Sequence, residues 1–372
     1  MTFDPAQFRR FEGQSFEREA QVVLDAVGAR FGAPPSAPPD GIDPEFVFHI
    51  ARLNKVILFL PEEPQSWPAS CAALPQRIAQ TRLRVMMGNH AALRAGFEAS
   101  QHLTEAGIAH LQFKGPLQQV ALYGDPLRKP AGDIDLLVAP RDRHRARAVL
   151  ERLGYRPTEA AMASWWSRFL SEVHLTRPGD RTVIDLHHGV QQPGLPRPHA
   201  LQGFIDRREI MTFQGAACPV LSPGDRGLIA AISVAKAFLA HEPCLGALAD
   251  LRASHAKNEP QDIDLIYENA SQHGLAETLC FARHAADACF GTRLARHPSP
   301  LPDLTSQSLR EMLITPWKPG LPWPRRRRLL WALCGPSPLR YLREAGRSAL
   351  SILYHGALQR QNRRANSEGS AG

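Results

Sequence analysis

Apolar residues at helical spacing dominate the N-terminal part of the chain. Phe46–Leu60 is apolar enough to predict a packed helix that Pro61 would end, because proline breaks a helix interior. Leu74–Gly107 carries apolar side chains at helical spacing and ends on a glycine, which suits a helix C-cap. Residues 1–31 scatter apolar side chains among charges and predict one or two short helices. The sequence therefore predicts a helical region over residues 1–95.

Short apolar runs replace this pattern further along the chain. In chain order they predict strand Ile108–Phe113, a helix starting at Pro116, strand Ile134–Val138, helix Arg141–Leu153, and a hairpin of strands Ser171–Thr176 and Thr182–His187. Strands that alternate with helices and then form a hairpin are typical of a small mixed α/β unit. We expect this domain to occupy residues 96–215.

Helical spacing returns after Pro223. Proline or glycine separates the predicted helices, which are Asp225–His241, Leu245–Ala256, Asp262–His273, Leu275–Phe290, Arg325–Leu333 and Leu339–Arg364. They predict a helical domain over residues 216–297 and a basic, proline-rich, partly helical tail over residues 298–372. The predicted fold class is α+β, in which a small mixed sheet is flanked by N- and C-terminal helical regions.

Composition narrows the classes of protein that fit. The 372 residues are 44% hydrophobic and 22% charged, as in globular proteins of two to three domains. Apolar runs stay shorter than the ~20 residues of a membrane span, and Met1–Pro5 has no secretory-signal pattern. The six scattered cysteines form no Cys-x-x-Cys pair, which argues against a zinc site or a disulfide framework. We therefore expect a reducing, cytoplasmic location.

The net charge of +8 is concentrated in the tail. From Pro316 onward eleven lysines and arginines face two acidic residues, so the rest of the chain is nearly neutral. Arg325–Arg328 lies among Trp317, Trp323 and Trp331, a combination that suits an anionic membrane surface or an RNA backbone. A solvated charged helix is the alternative. A tail that bound membrane would make the protein peripheral to the membrane.

Two carboxylates on the second predicted strand are the strongest chemical signal. Asp133 and Asp135 are one residue apart, so on a strand they share a face, while Ile134, Leu136 and Val138 face the other way. Like charges held this close are stable when they are exposed or when a cation lies between them. Carboxylate oxygens are the ligands that Mg²⁺ or Mn²⁺ prefers. The pair is therefore a candidate metal site.

A third acidic residue lies in the predicted hairpin. Asp185 is at the centre of an apolar strand, where aspartate is disfavoured, and it would complete a two-metal site if that strand neighbours the first pair. A solvent-facing position on an edge strand is the alternative. His187 has the same parity and is a candidate for contact with the substrate or with a residue that binds the metal, or else a buried strand histidine. Lys236 and His241 are interpreted as structural.

Basic residues and a glycine adjoin these acids. Lys114-Gly115 stands at a predicted strand-to-helix junction, where free N–H groups and a glycine favour a phosphate and a lysine adds charge. Arg128-Lys129 precedes the acidic pair. These two cations would either neutralise the acidic pair or contact a triphosphate. Lys114, Gly115, Arg128 and Lys129 are thus candidate nucleotide-binding residues.

Together these segments resemble the bacterial "uncharacterised nucleotidyltransferase" family, within the superfamily typified by DNA polymerase beta. The resemblance runs from about residue 50 to 295. It is carried by Phe113-Lys114-Gly115, Tyr123–Arg128, Asp133-Ile134-Asp135-Leu136-Leu137-Val138 and Ile184-Asp185-Leu186-His187. Lys129 stands where the family usually has arginine. The fold implied for residues 96–215 is a nucleotidyltransferase-like α/β domain.

The resemblance implies transfer of a nucleoside monophosphate from an NTP, such as ATP, to a hydroxyl or phosphate acceptor. It implies that Asp133 and Asp135 hold two Mg²⁺ (or Mn²⁺) ions and that Asp185 shares one of them. It also implies that Lys114 and Gly115 cradle phosphates. The acceptor would be a small molecule, a peptide or a sugar. The sequence does not fix the acceptor, the NTP or the oligomeric state.

Two other functions fit the same residues. One is a catalytically inactive binding protein that keeps the fold and docks on membrane or RNA through its tail. The other is a toxin-like nucleotidyltransferase that acts on RNA. The near-neutral charge around the acidic residues argues against the second, because RNA binding needs a basic surface.

Overall fold

The computed structural model describes residues 17–34, 36–158, 161–180, 182–190, 192–256 and 260–369, without the side chains of residues 260–262 and 363–369. The helix predicted within residues 1–31 is described from Glu17 onward, and residues 1–16 lie outside the described part. No helix in the described ranges has both the length and the apolarity needed to cross a bilayer.

Three helices precede the sheet: α1 (Glu17–Ala29), α2 (Pro44–Leu53) and α3 (Leu74–Glu105). The sheet region comprises β1 (His110–Gln112), α4 (Pro116–Tyr123), β2 (Asp133–Val138), α5 (Arg143–Arg152), β3 (Arg156–Pro157), α6 (Ala163–Trp165), β4 (Glu172–Thr176), β5 (Val183–His187), α7 (Leu201–Asp206), β6 (Glu209–Phe213) and β7 (Ala216–Val220). The remaining helices are α8 (Pro223–Ala240), α9 (Leu245–Ala256), α10 (Pro260–Gln272), α11 (Ala276–Phe290), α12 (Ser306–Ile314), α13 (Arg326–Cys334) and α14 (Pro338–Gly369).

The seven strands form one mixed sheet in the order β3-β4-β5-β2-β1-β7-β6. β2 pairs in parallel with β5 and antiparallel with β1, while β5 pairs antiparallel with β4. Helices surround this sheet, so the predicted α+β class is confirmed. The centre of the sheet is the parallel β2–β5 pair that carries the acidic residues.

The two faces of the sheet are covered differently. Ile134, Leu136 and Ile184 pack on one face against apolar side chains of α3 and α5. On the opposite face, Leu111 and Leu137 join the large core built by the helices after Pro223. Side chains alternate along a strand, so the acidic residues of β2 lie on this second face, toward the C-terminal helices.

The helix predicted over Phe46–Leu60 is shorter than expected. It ends at Leu53, Lys55 adopts φ = 58°, and a separate 3₁₀ turn covers Ile57–Phe59. The reason is Asn54, which is buried and joins the end of α2 to two distant segments. Its side-chain NH₂ donates to the Ile50 and Ile314 carbonyls and its Oδ1 accepts from the Leu245 N–H.

The predicted boundaries cross elements of the structure. The boundary between residues 95 and 96 lies inside α3. That between residues 215 and 216 lies in the turn of a β6–β7 hairpin, and the sequence analysis assigned no strands there. Because β7 pairs with β1, the sheet continues past residue 215. The division into four regions stays a prediction.

A buried histidine gives the helical part a pH-dependent stability. His255 is 5% exposed; its Nδ1–H donates to the Leu251 carbonyl, and Nε2 accepts from the Nε–H of Arg283. Burial, with the nearby Arg283 charge, lowers the pKa of His255 to about 4. A histidine with a lowered folded-state pKa stabilises the fold above its unfolded pKa of ~6.5, and this contribution is lost as pH falls.

We therefore expect the free energy of unfolding to fall by about 2 kcal/mol between pH 7 and pH 5 because of this residue alone. Urea unfolding of His255→Gln should lack that share of the pH dependence, because glutamine does not titrate. The side-chain oxygen of glutamine still offers Arg283 a hydrogen-bond acceptor. The exposed His102→Gln serves as the control. Equal pH dependence in wild type and His255→Gln would contradict the assignment.

Candidate active site

Asp135 and Asp185 face each other across the parallel β2–β5 pair. The register places Asp135 opposite Asp185, with Ile184 and Leu136 turned into the core on the other face. The alternation of acidic and apolar residues fixes this orientation, because rotating either strand would place its acid among apolar core side chains and remove its core residues from them. Two carboxylates are therefore held side by side by the pleat of the sheet.

His187 joins these two acids. Its Nε2 lies 2.9 Å from Asp135 Oδ1, and its ring packs edge-on to Phe113 with centroids 4.9 Å apart. Asp135, Asp185 and His187 each bring one potential ligand atom within 4.8 Å of the other two. This acidic trio is the candidate metal centre. Two carboxylates suit Mg²⁺ or Mn²⁺, and an imidazole suits a transition metal ion such as Mn²⁺ better than Mg²⁺.

Asp133 lies at the mouth of the site, outside the trio. Its side chain is exposed, and it opposes Val183 on β5. Partial loss of hydration raises its pKa, and the like charges of Asp135 and Asp185 raise it further. The ammonium groups of Lys114 and Lys55 oppose this rise. A bound cation would remove the repulsion that raises the pKa.

Two residues of β4 that were not predicted from the sequence complete this surface. Glu172 lies opposite His187, and His174 lies opposite Asp185. Hydrogen bonds to Asp185 and Glu172 raise the pKa of His174 to about 10. The hairpin prediction contained the signal, since residues 172 and 174 share a face at period two. The hairpin prediction already pairs β4 with β5, and what the sequence left open is the register that sets His174 opposite Asp185.

Lys114 and Gly115 lie beside the trio at the start of α4. Gly115 has φ = 84°, a backbone conformation that favours glycine, and it precedes Pro116 in the first turn of the helix. Lys114 Nζ is 3.8 Å from Asp135 Oδ1. Burial opposes ionisation of Asp135, but Lys114 and the hydrogen bond from His187 outweigh it and hold the pKa of Asp135 well below its usual range. Asp135 is thus a carboxylate at neutral pH.

Arg128 and Lys129 have carboxylate partners of their own. Arg128 Nη2 lies 3.0 Å from Asp125 Oδ2. The Lys129 ammonium group pairs with Asp250 on α9 and donates to the Gly246 carbonyl. A nucleotide-binding role for these two cations stays a prediction. To bind a phosphate, Arg128 would have to leave Asp125, and Lys129 would have to leave Asp250.

Lys236, interpreted from the sequence as structural, lines a small pocket with Lys114, Glu172 and His187. It reaches there from α8, the helix that covers this face of the sheet. Burial lowers its pKa and repulsion from Lys114 lowers it further. His241, at the end of α8, stacks on Trp323 with centroids 3.9 Å apart. The pocket thus adds a second half-buried cation to the acidic surface.

The site as a whole can bind a divalent cation and an anionic ligand next to it. Its acids come from β2, β5 and β4, while its lysines come from the start of α4 and from α8. Acids that collect a cation beside lysines that attract phosphates are the arrangement that phosphoryl chemistry requires.

Known proteins that resemble the chain include a family and a solved structure. A family model described as "Uncharacterised nucleotidyltransferase" matches residues 40–291. Among solved structures, the chain is similar to an antigenic nucleotidyltransferase-like protein from Paracoccidioides brasiliensis, with 17% identity and a TM-score of 0.30 over 51% of this chain and 92% of that chain. None of the curated proteins matches the chain.

Proposed function

The chain belongs to the uncharacterised nucleotidyltransferase family, and we propose that it moves a nucleoside monophosphate from an NTP to a hydroxyl or phosphate acceptor with the help of a divalent cation. One observation carries this proposal: Asp135 and Asp185 lie opposite each other on neighbouring strands, within reach of a shared cation, while Lys114 lies 3.8 Å from Asp135. The acceptor is proposed to be a small molecule, a peptide or a sugar.

The residues have distinct roles in this proposal. Asp135 and Asp185 would hold the cation, with Asp133 at the mouth as a further oxygen ligand. A divalent cation bound there neutralises phosphate charge and lowers the pKa of an acceptor hydroxyl. His187 fixes the rotamer of Asp135 through its hydrogen bond. Lys114 holds a phosphate of the NTP, and Gly115 lets the backbone approach it.

The proposed reaction is an in-line displacement at the α-phosphate. The acceptor oxygen forms a bond to the α-phosphorus while the bond from that phosphorus to the bridging oxygen breaks, and pyrophosphate leaves. The acceptor proton passes to solvent. Lys114 would stabilise the negative charge that grows on the leaving pyrophosphate.

The proposal is tested with the full chain, each of the four α-³²P-labelled NTPs, and Mg²⁺ or Mn²⁺. Incubation with an extract, followed by mass spectrometry, should reveal an acceptor whose mass has grown by one nucleoside monophosphate. A thermal shift that needs both NTP and cation supports the same site. Binding without transfer would favour the inactive binding protein, and no cation-dependent binding would refute the proposal.

Lys114→Met should raise the KM for the NTP by about tenfold or more, because one charged hydrogen bond to phosphate contributes ~1.5–3 kcal/mol. Lys114→Arg should recover part of the affinity because it keeps the charge. Steady-state kinetics at saturating cation measure the effect, and Lys318→Met, whose lysine pairs with Glu311, is the control. An unchanged KM in Lys114→Met would remove Lys114 from the nucleotide site.

A further inference from the structure

The outer face of α14 carries a stripe of exposed leucines. Leu339, Leu342, Leu350 and Leu353 are 81%, 63%, 62% and 67% exposed. Their spacings of three, eight and three residues place them within an arc of about 80° at 100° per residue. Gly346 lies within that arc, Ala349 lies about 20° outside it, and both are exposed as well. We call these four leucines the leucine stripe.

The opposite face of α14 is anchored to the protein. Glu344 is 2% exposed and accepts two hydrogen bonds from Arg197 Nε, both of 3.0 Å. Ser351 is 3% exposed, and both its carbonyl and its hydroxyl accept from Trp165 Nε1. Arg340 donates to the Arg197 carbonyl. The helix is thus held in one rotation, which directs the leucine stripe away from the body.

The surface around the leucine stripe is basic. Arg343 is next to it on the helix and is 57% exposed. Arg325–Arg328 are exposed at the start of α13, which packs against α14 through an edge-on contact of Trp331 with Tyr341. Glu344 is the single acidic residue among the described side chains of α13 and α14, and it is buried. Within the described side chains of α13 and α14, no exposed acid accompanies the leucines and arginines. Arg328 pairs with the exposed Asp303, which lies outside both helices.

We propose that α13 and α14 dock on an anionic membrane surface. Leucines inserted to the depth of the acyl boundary, with arginines at the headgroup level, are the pattern of an interfacial amphipathic helix. The half-exposed Trp331 suits the same interfacial depth. The charge pattern selects vesicles that contain anionic lipid over neutral ones, because each basic residue near the surface adds attraction.

Charge also favours an anionic membrane over two other partners for this surface, a second copy of the chain and an RNA. A second copy of the chain would bring Arg343 and Arg325–Arg328 of both copies together, and like charges repel across a shared interface. An RNA would pair with the arginines but would leave the leucines in water, since phosphates offer them no apolar partner. An anionic bilayer supplies both an apolar layer and negative charge.

The test is flotation of the full chain with vesicles of phosphatidylcholine alone or with about 30% phosphatidylglycerol, at ~0.15 M salt. We expect binding at least tenfold tighter to the anionic vesicles. Leu342→Ser combined with Leu353→Ser should weaken that binding at least tenfold, because each buried CH₂ contributes to membrane affinity. Both leucines are exposed in the free protein, so folding, checked by circular dichroism, should be unchanged.

The matched control is Leu83→Ser with Met87→Ser on α3, two residues that are 55% and 61% exposed and lie outside α13 and α14. This control should bind the anionic vesicles like wild type. The proposal fails if neither vesicle is bound, if both are bound equally, or if the control loses as much affinity as the stripe variant. A dimer that disappears in the stripe variant, or single-stranded RNA bound in preference to vesicles, would also overturn it.

Discussion

Replacing Asp135 by asparagine should lower the rate of cation-dependent nucleotidyl transfer by about 10³-fold. Asparagine keeps the shape of the side chain and still accepts the His187 hydrogen bond, but it removes the charge that faces Asp185 across the β2–β5 pair. Cation-assisted charge stabilisation contributes several kcal/mol to the transition state, and each ~1.4 kcal/mol is a tenfold change in rate. Single-turnover kinetics with a saturating labelled NTP measure the loss.

The control for this variant is Asp264→Asn, an exposed aspartate on α10, which should transfer at the wild-type rate. Thermal unfolding with added Mg²⁺ or Mn²⁺ gives a readout that does not depend on the acceptor: the cation should stabilise wild type and leave Asp135→Asn unchanged. If Asp135→Asn transferred within tenfold of wild type and kept its cation response, the acidic trio would not be the catalytic centre.

In the absence of cation, Asp135→Asn should also change the free energy of unfolding in a pH-dependent way. The pKa of Asp135 is lowered mainly by Lys114 and His187, in opposition to burial, so the ionised form stabilises the folded state at neutral pH. A lowered folded-state pKa means that this contribution is present above the unfolded pKa of ~3.9 and is lost as pH falls toward the folded one. Cation-free Asp135→Asn should therefore be less stable than wild type at pH 7, and the deficit should shrink below about pH 4.

Strand β2 and its acidic face could be predicted because the pattern that indicates them lies within the strand itself. Within Asp133–Leu136, acidic and apolar positions alternate, so one face is predicted to be buried and the other to carry both acids. The sequence could not show that β5 runs parallel to β2 with Asp185 opposite Asp135, because that register arises from contacts fifty residues apart. His187 was predicted near the acids because it shares the parity of Asp185 on the same strand. Glu172 and His174 were missed because the register of the β4–β5 hairpin decides which residues of β4 lie opposite those acids.

Long-range partners also explain the elements that local patterns missed. α2 ends at Leu53 because the buried Asn54 uses its amide on α9 and α12, and no local signal requires those partners. The β6–β7 hairpin turns at Gln214 and Gly215, which both have positive φ, as two-residue hairpin turns favour. A Gln-Gly pair is a weaker turn signal than Asn-Gly, so the hairpin was not predicted.

One buried ion pair holds the helices that cover the acid-bearing face of the sheet. Asp225, in the first turn of α8, is fully buried and accepts hydrogen bonds from Arg207 Nε and Nη2 at 3.0 and 2.8 Å. The hydroxyl of Ser222, the N-cap of α8, donates to the same carboxylate. Arg207 also contacts His273, which stacks on Phe204 with centroids 4.3 Å apart. This network joins α7, α8 and the end of α10, and α8 carries Lys236 into the site.

Arg207→Ala should therefore destabilise the fold by about 3–5 kcal/mol, because it leaves the buried Asp225 carboxylate without its cation. Urea unfolding gives the free energy. Adding Asp225→Asn to Arg207→Ala should recover part of the loss, since the unpaired charge is then gone. Arg296→Ala breaks an ion pair that is 50% and 63% exposed and should cost less than ~1 kcal/mol. Equal losses in Arg207→Ala and Arg296→Ala would mean that solvent screens the Asp225 pair as it screens a surface pair, and the network would not be what fixes α8 over the sheet.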